Sequence, residues 1–325
     1  MRVLSLIGIC LLVSSCGFEY LTDIRNDDVN APGAAECGSC HVEQYSEWLQ
    51  TAHAKAFSNE EFKDQSDNYQ DEDCLFCHVP GEVLSPKREA RQYNRSEGVT
   101  CVACHLHKQA MHGPHPSGAL FSPHSIEKNS KVDSQLESSR ICGVCHEGTY
   151  AQWEQQRKSN TYPTCHGCHG ATVQRPHTKG TNFFSKLLVA FEPEHTVRSH
   201  YLMIPDQPGS AIGPELSIDK IENDTVYFTL LNGLPHDLPT GDFAEKELFL
   251  LANWWLADGV VTEKKKEKIP SILSPGEQTQ ITVILPDRGK SNELRVDLLR
   301  HDNSTEEINR IRSYSFSLPS SYLKN

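Results

Sequence analysis

Hydrophobic and polar positions fall into three textures along the chain. Arg2 is followed by an unbroken apolar run from Val3 to Val13. That is the length of a signal-peptide core and too short to cross a bilayer as a helix. From Val42 to Phe57, the apolar residues Tyr45, Trp48, Leu49, Ala52 and Ala56 recur at helical spacing, with His53 on the same face, which predicts an amphipathic helix. After Tyr201 the texture turns to short strand-like runs: Ile218 to Ile221, Thr225 to Leu231, Glu247 to Leu256, Thr279 to Leu285, Leu294 to Leu299 and Arg312 to Leu318. Turn clusters at Asn223-Asp224, Pro275-Gly276 and Pro286-Asp287 separate them. Six such runs predict a small antiparallel, β-sandwich-like domain. The lysine-rich stretch Lys264 to Lys268 between them reads as a solvated loop.

Composition narrows the class. Of 325 residues, 37% are hydrophobic and 23% charged, which excludes disordered and collagen-like chains but leaves a thin apolar supply for a core. The formal charge of -12 argues against nucleic-acid binding, which needs a clustered basic excess, so a charged partner is expected to be basic.

The 12 cysteines carry the chemistry. Ten form five CxxCH motifs: Cys37-Cys40-His41, Cys74-Cys77-His78, Cys101-Cys104-His105, Cys142-Cys145-His146 and Cys165-Cys168-His169. With 16 histidines in the chain, five CxxC pairs would all be followed by histidine by chance roughly once in a few million cases. Zinc ribbons and disulfide frameworks do not require that histidine, and a thioredoxin-like motif would occur once beside a βαβ pattern. Haem attachment needs all three residues: two thiols add to the porphyrin vinyl groups and the imidazole reaches the iron. Five covalently bound haem c groups are therefore expected, with His41, His78, His105, His146 and His169 as proximal ligands. Residues 37 to 169 supply about 27 residues per haem, so the haems are expected to pack together and form the core.

The sixth iron position decides between electron transfer and catalysis. Eleven further histidines exceed the five needed, whereas only Met111 and Met203 remain once Met1 is lost with the leader, so bis-histidine, low-potential haems are expected. A helix running away from its own haem cannot return His53 to the opposite face of that ring, so His53 would serve a neighbouring haem. His107, His112, His115 and His124 lie between the third and fourth motifs, and His166 is constrained inside its own motif. The chain also repeats itself: Tyr45 and Trp48 after the first motif match Tyr150 and Trp153 after the fourth, while Lys158 stands where the second copy would have its counterpart of His53. The Tyr and Trp rings are expected to pack on porphyrin faces.

Two resemblances add to this. Val13-Ser14-Ser15-Cys16 resembles the lipobox of bacterial lipoproteins, which implies cleavage before Cys16, a lipid on its thiol and, with Gly17 rather than Asp next, sorting to the outer membrane of the bacterial cell envelope. Cys10 lies in the removed segment. The motif from Cys37 through His53-Ala54-Lys55-Ala56, the Gly98-Val99-Thr100-Cys101 motif and the segment Pro235-His236-Asp237-Leu238-Pro239-Thr240-Gly241 resemble the multihaem cytochromes c that include hydroxylamine oxidoreductase and its tetrahaem acceptor cytochrome. That resemblance favours His53, His124 and His236 as distal ligands, then His177 and His200. It does not transfer catalysis, because the chain has five motifs rather than eight and no CxxCK motif.

The expected organisation is a leader at 1–15, a linker at 16–36, a mainly α and irregular, haem-packed cytochrome domain at 37–204 and the β-sandwich-like domain at 205–325. The expected function is relay of electrons between redox partner proteins, other cytochromes or a respiratory complex. The competing expectations are reduction or oxidation of a small nitrogen or sulfur compound at one open haem, hinted at by Lys158, and docking of a respiratory complex through the β-domain.

Overall fold

The computed structural model describes residues 31–113, 126, 130–179, 186, 192–202, 212–241, 246–255, 264–285, 293–303 and 307–318. The leader run, Cys16 and His124 lie outside the described residues. The chain divides into two compact units, Met1–Val144 with Thr164–Met203 and Cys145–Pro163 with Ile204–Asn325.

The first unit is built of short helices and turns: α1 (Ala34–Gly38), α2 (Val42–Trp48), α3 (Glu60–Gln65), α4 (Glu72–His78), α5 (Cys101–His105), α6 (Ser130–Leu136) and, after an excursion into the second unit, α8 (Cys165–His169). Two small hairpins join them, β1 (Leu106–His107) with β2 (Ala110–Met111) and β3 (Thr172–Arg175) with β4 (His195–Arg198). In the first, Lys108 and Gln109 adopt φ of +50° and +63°, a left-handed turn without glycine.

The helix expected over Val42 to Phe57 is shorter: α2 stops at Trp48 and the chain continues in turns. The Trp48 carbonyl accepts from the Thr51 amide at 2.9 Å and from its hydroxyl at 2.7 Å, a local side-chain competitor that ends the regular ladder. Leu49 is consequently 46% exposed, and Ala52 is exposed as well, rather than facing inward.

Apolar packing in this unit is sparse. Its clustered buried core among the described residues consists of Phe62, Leu75 and Val79, flanked by Phe57, Tyr69, Cys74 and Ala90. What ties its segments together is polar. Buried Arg91 donates to the carbonyls of Pro80 (3.0 Å), Tyr93 (2.9 Å), Asn94 (3.0 Å) and Gly98 (2.8 Å) and to the Thr100 hydroxyl (3.1 Å), clasping the end of the second motif to the start of the third.

The second unit contrasts with it. Among the described residues it contains α7 (Glu147–Gln156) and seven strands, β5 (Pro214–Glu222), β6 (Thr225–Asn232), β7 (Lys246–Trp255), β8 (Lys265–Ile269), β9 (Gln278–Ile284), β10 (Glu293–Asp302) and β11 (Glu307–Ser317). The strands form antiparallel sheets in the orders β5-β6-β9 and β11-β10-β7-β8. Strict alternation decides which side chains go inward: Val226, Phe228 and Leu230 on β6 pair in register with β9, while Leu294, Val296 and Leu298 lie opposite Trp254, Ala252 and Leu250. These faces share one apolar core. Asn223, at φ +53°, makes the two-residue turn from β5 to β6.

Lys265 to Lys268 lie in an edge strand, β8, and not in a loop. Two of its lysines are accommodated by their own sheet: Lys266 sits 3.8 Å over the Phe249 ring and Lys268 pairs with Glu247. Charged side chains on an outer strand block pairing with another chain's edge, so a lysine-rich sequence here serves as edge protection.

Phe228 is fully buried between the two sheets. Phe228→Ala is expected to destabilise this unit by about 3–5 kcal/mol, measured by chemical denaturation followed by far-ultraviolet circular dichroism.

Candidate haem sites

Three of the five motifs are each held within a single short helix. In α4, α5 and α8 the two cysteines stand at i and i+3 and the histidine at i+4, so all three side chains share one face. The turns are started by side-chain caps: Asp71 accepts from the Asp73 amide at 3.0 Å, and Thr164 from the Gly167 amide at 3.1 Å. The first motif closes through amide bonds from Cys40 and His41 to the Cys37 carbonyl, at 3.2 and 2.9 Å. The fourth runs through the 3₁₀ segment Ser139–Val144.

The motif imidazoles are oriented from behind. His41 Nδ1 donates to the His177 carbonyl at 2.8 Å, His78 Nδ1 to Ala56 O at 2.6 Å and His105 Nδ1 to His112 O at 2.8 Å. A carbonyl can only accept, so the proton is on Nδ1 and the lone pair on Nε2, the tautomer that a metal ligand needs. Burial also pushes the pKa of His78 and His105 down, keeping the rings neutral. This donor set fits a covalently attached haem: a cysteine pair one helical turn apart, and beside it an imidazole with its tautomer fixed.

The motifs also pair with one another. Cys37 lies beside Cys101, and Cys142 beside Cys165. The helices following the first and fourth motifs repeat the same construction. His41 and His146 are the N-caps of α2 and α7, with φ, ψ of -87°, 55° and -94°, 56°. The Tyr45–Trp48 and Tyr150–Trp153 ring centroids are both 5.7 Å apart. The Trp48 indole donates to Val99 O at 2.7 Å and the Trp153 indole to Pro163 O at 2.9 Å. Both acceptors lie two residues before the first cysteine of another motif. The two tryptophans thus tie each helix to the approach of a later attachment turn.

The candidate distal histidines occupy different settings. His53 is half-buried, and its carbonyl accepts from the Val99 amide at 2.9 Å. That contact explains Gly98, whose φ is +63° and whose added Cβ would lie 2.4 Å from the His53 oxygen. His177 offers its carbonyl to His41 and stacks its ring on His195 with centroids 4.5 Å apart. His200 follows β4; its ring centroid is 6.1 Å from that of His105, and burial pushes its pKa down to about 4. His236 sits in the segment pinned by Asn232, whose side-chain amide donates to the His236 carbonyl at 2.9 Å and to Leu273 O at 2.8 Å. The position matching His53 in the second helix, Lys158, is exposed.

Sequence reasoning named His112 without giving it a role and did not single out Glu47. His112 is 2% exposed, its amide donates to the His105 carbonyl at 2.8 Å while its own carbonyl accepts from His105 Nδ1, and its Nδ1 is 3.9 Å from Asp133. A hairpin turn of two non-glycine residues brings it there, and nothing in the sequence announces that turn. Glu47 is held by Arg175 through contacts of 2.7 and 2.9 Å and accepts the His200 amide at 2.7 Å. Burial would raise the Glu47 carboxyl, but Arg175, the His200 amide and Ser199 outweigh it and hold it below its ordinary value. The position before Trp in the internal repeat was the available signal for Glu47.

Comparison with known proteins agrees with this chemistry. Residues 36–106 match the family model described as cytochrome c554 and c-prime. Cytochrome c-554 of Nitrosomonas europaea is 29% identical over 163 residues, covering 42% of this chain and 66% of that relative's length. The crystal structure of a penta-heme cytochrome c552 from Thermochromatium tepidum aligns with a TM-score of 0.51 and 16% identity, covering 87% of this chain and 99% of that one. Together with the five CxxCH motifs, these likenesses support a multihaem c-type cytochrome with covalently bound haem c. Its particular likeness is to cytochrome c554 in the first attachment region and to the pentahaem cytochrome in fold.

Two expectations follow. Gly98→Ala is expected to cost about 2–3 kcal/mol of stability through the forced φ alone, read as a lowered thermal midpoint. Because the folded Glu47 pKa is depressed, its stabilisation is complete above the ordinary carboxylate pKa of about 4.3 and is lost as pH falls through the lower folded value. Acid titration should therefore loosen the contact between α2 and the β3–β4 hairpin, and Glu47→Gln should flatten that part of the circular-dichroism titration.

Proposed function

We propose that this protein is a pentahaem cytochrome relaying electrons between redox partner proteins in the bacterial cell envelope, held at the outer membrane by a lipid on Cys16. The carrying observation is the recurrence of five CxxCH motifs whose attachment cysteines lie in pairs, Cys37 beside Cys101 and Cys142 beside Cys165. Haem c at these sites supplies a one-electron iron couple. The chain does the rest. Cys37, Cys40, Cys74, Cys77, Cys101, Cys104, Cys142, Cys145, Cys165 and Cys168 fix ring positions, and His41, His78, His105, His146 and His169 present Nε2 as proximal ligands. The candidate distal ligands are His53, His124, His177, His200 and His236. Close placement of the attachment turns favours transfer along a row of centres over chemistry at one of them. The two sheets around one core support a β-sandwich in the C-terminal part.

Mass spectrometry of the mature protein should show five haem additions and an acylated N-terminal cysteine. Cys16→Ala should abolish the acylation and release the protein from the membrane fraction. Fewer than five haems would reject the pentahaem assignment. A high-spin ferric component that binds nitrite or hydroxylamine would favour catalysis over relay.

A further inference from the structure

The internal repeat extends beyond the motif, the helix and the tryptophan. Counting from the motif histidine, Glu47 on α2 and Gln152 on α7 occupy the same position, immediately before Trp48 and Trp153. Each receives a backbone amide from a segment remote in sequence. Glu47 Oε2 accepts from His200 N at 2.7 Å, and Gln152 Oε1 accepts from Asp237 N at 2.9 Å. A histidine stands at the first of these incoming residues and directly before the second, His200 and His236.

Both receptors are themselves locked. Arg175 grips the Glu47 carboxylate through two hydrogen bonds. The Gln152 side-chain amide donates to Asp237 Oδ2 at 2.7 Å, closing a two-point contact with the residue whose amide it accepts. One helical position thus performs the same task in both copies with different chemistry, an ion-paired carboxylate in one and a carboxamide in the other. What each fixes is the backbone at or beside the histidine, which sets the point from which the ring projects.

The rings suit ligation. His236 Nδ1 donates to the Asp237 carbonyl at 2.9 Å, which leaves the lone pair on Nε2. His200 presents its ring to that of the motif histidine His105, with centroids 6.1 Å apart.

We infer that Glu47 and Gln152 are structurally equivalent positioning residues, each fixing the backbone from which a candidate distal ligand, His200 or His236, presents its ring to iron. This rests on the multihaem assignment and deepens it. His53 has no such twin, since Lys158 replaces it, so equivalence between the copies is carried by ligands arriving from elsewhere in the chain.

Spin state in the purified oxidised holoprotein tests the inference, with haem number per chain counted by mass in the same samples. His200→Ala and His236→Ala should each convert one haem from low to high spin, and the double variant two. Glu47→Ala and Gln152→Ala should each give a partial high-spin component at the same haem as the corresponding histidine variant, identified by its electron paramagnetic resonance signal. If an alanine variant does not accumulate, His200→Met and His236→Met should keep the haem six-coordinate while raising the potential of one centre. An unchanged spectrum in either histidine variant, or a double variant that converts a single haem, would overturn the equivalence. Fewer than five haems in the wild-type protein would instead overturn the pentahaem assignment.

Discussion

A histidine that ligates a metal through Nε2 must place the proton of Nδ1 somewhere, and in this protein the acceptors are backbone carbonyls from other segments. His41 uses His177, His78 uses Ala56 and His105 uses His112. Each bond selects the tautomer and the ring orientation together. It also commits a distant stretch of chain to lie against an attachment turn. The β3–β4 hairpin region, the turns after α2 and the β1–β2 hairpin are all placed in this way. A unit whose described residues place three side chains in a clustered apolar core obtains much of its order from such polar ties, with Arg91 binding four carbonyls and a hydroxyl as the most concentrated case.

The two units solve the problem of internal order by different physics. In the β unit, alternation along strands sorts residues into an inner and an outer set, and Phe228, Leu250, Trp254 and Val296 meet in a conventional apolar core. Among the described residues of the first unit, the clustered apolar core is limited to Phe62, Leu75 and Val79. Helices of five to seven residues are far below the length at which a helix is stable alone. Caps, buried backbone acceptors and thioether attachment to a rigid macrocycle take over the role that packed side chains play elsewhere.

The internal repeat shows how such a unit can be elaborated. The pairs Tyr45–Trp48 and Tyr150–Trp153 keep their spacing, and the indole nitrogens keep equivalent acceptors, while the receptor before the tryptophan changes from Glu47 to Gln152. The carboxylate can be kept only where Arg175 neutralises it, and the carboxamide only where Asp237 offers both an amide and a carboxylate. The geometry is preserved and the electrostatics differ.

Much of this was legible in the residues. Five CxxCH motifs specify the cofactor chemistry outright, because the thiols and the imidazole act through covalent spacing that no fold need supply. Strand alternation was legible for the same local reason, although Lys265 to Lys268 concealed an edge strand, whose exposed lysines follow the same rule as a loop. The α2 helix was overextended because a periodic apolar pattern does not register that the Thr51 hydroxyl captures the Trp48 carbonyl. Which carbonyl fixes which motif histidine, that Arg91 clasps two motifs, and that His200 and His236 enter by equivalent contacts are tertiary facts. Each joins residues distant in sequence through backbone groups that every residue possesses, and identical backbone groups leave no mark in a sequence.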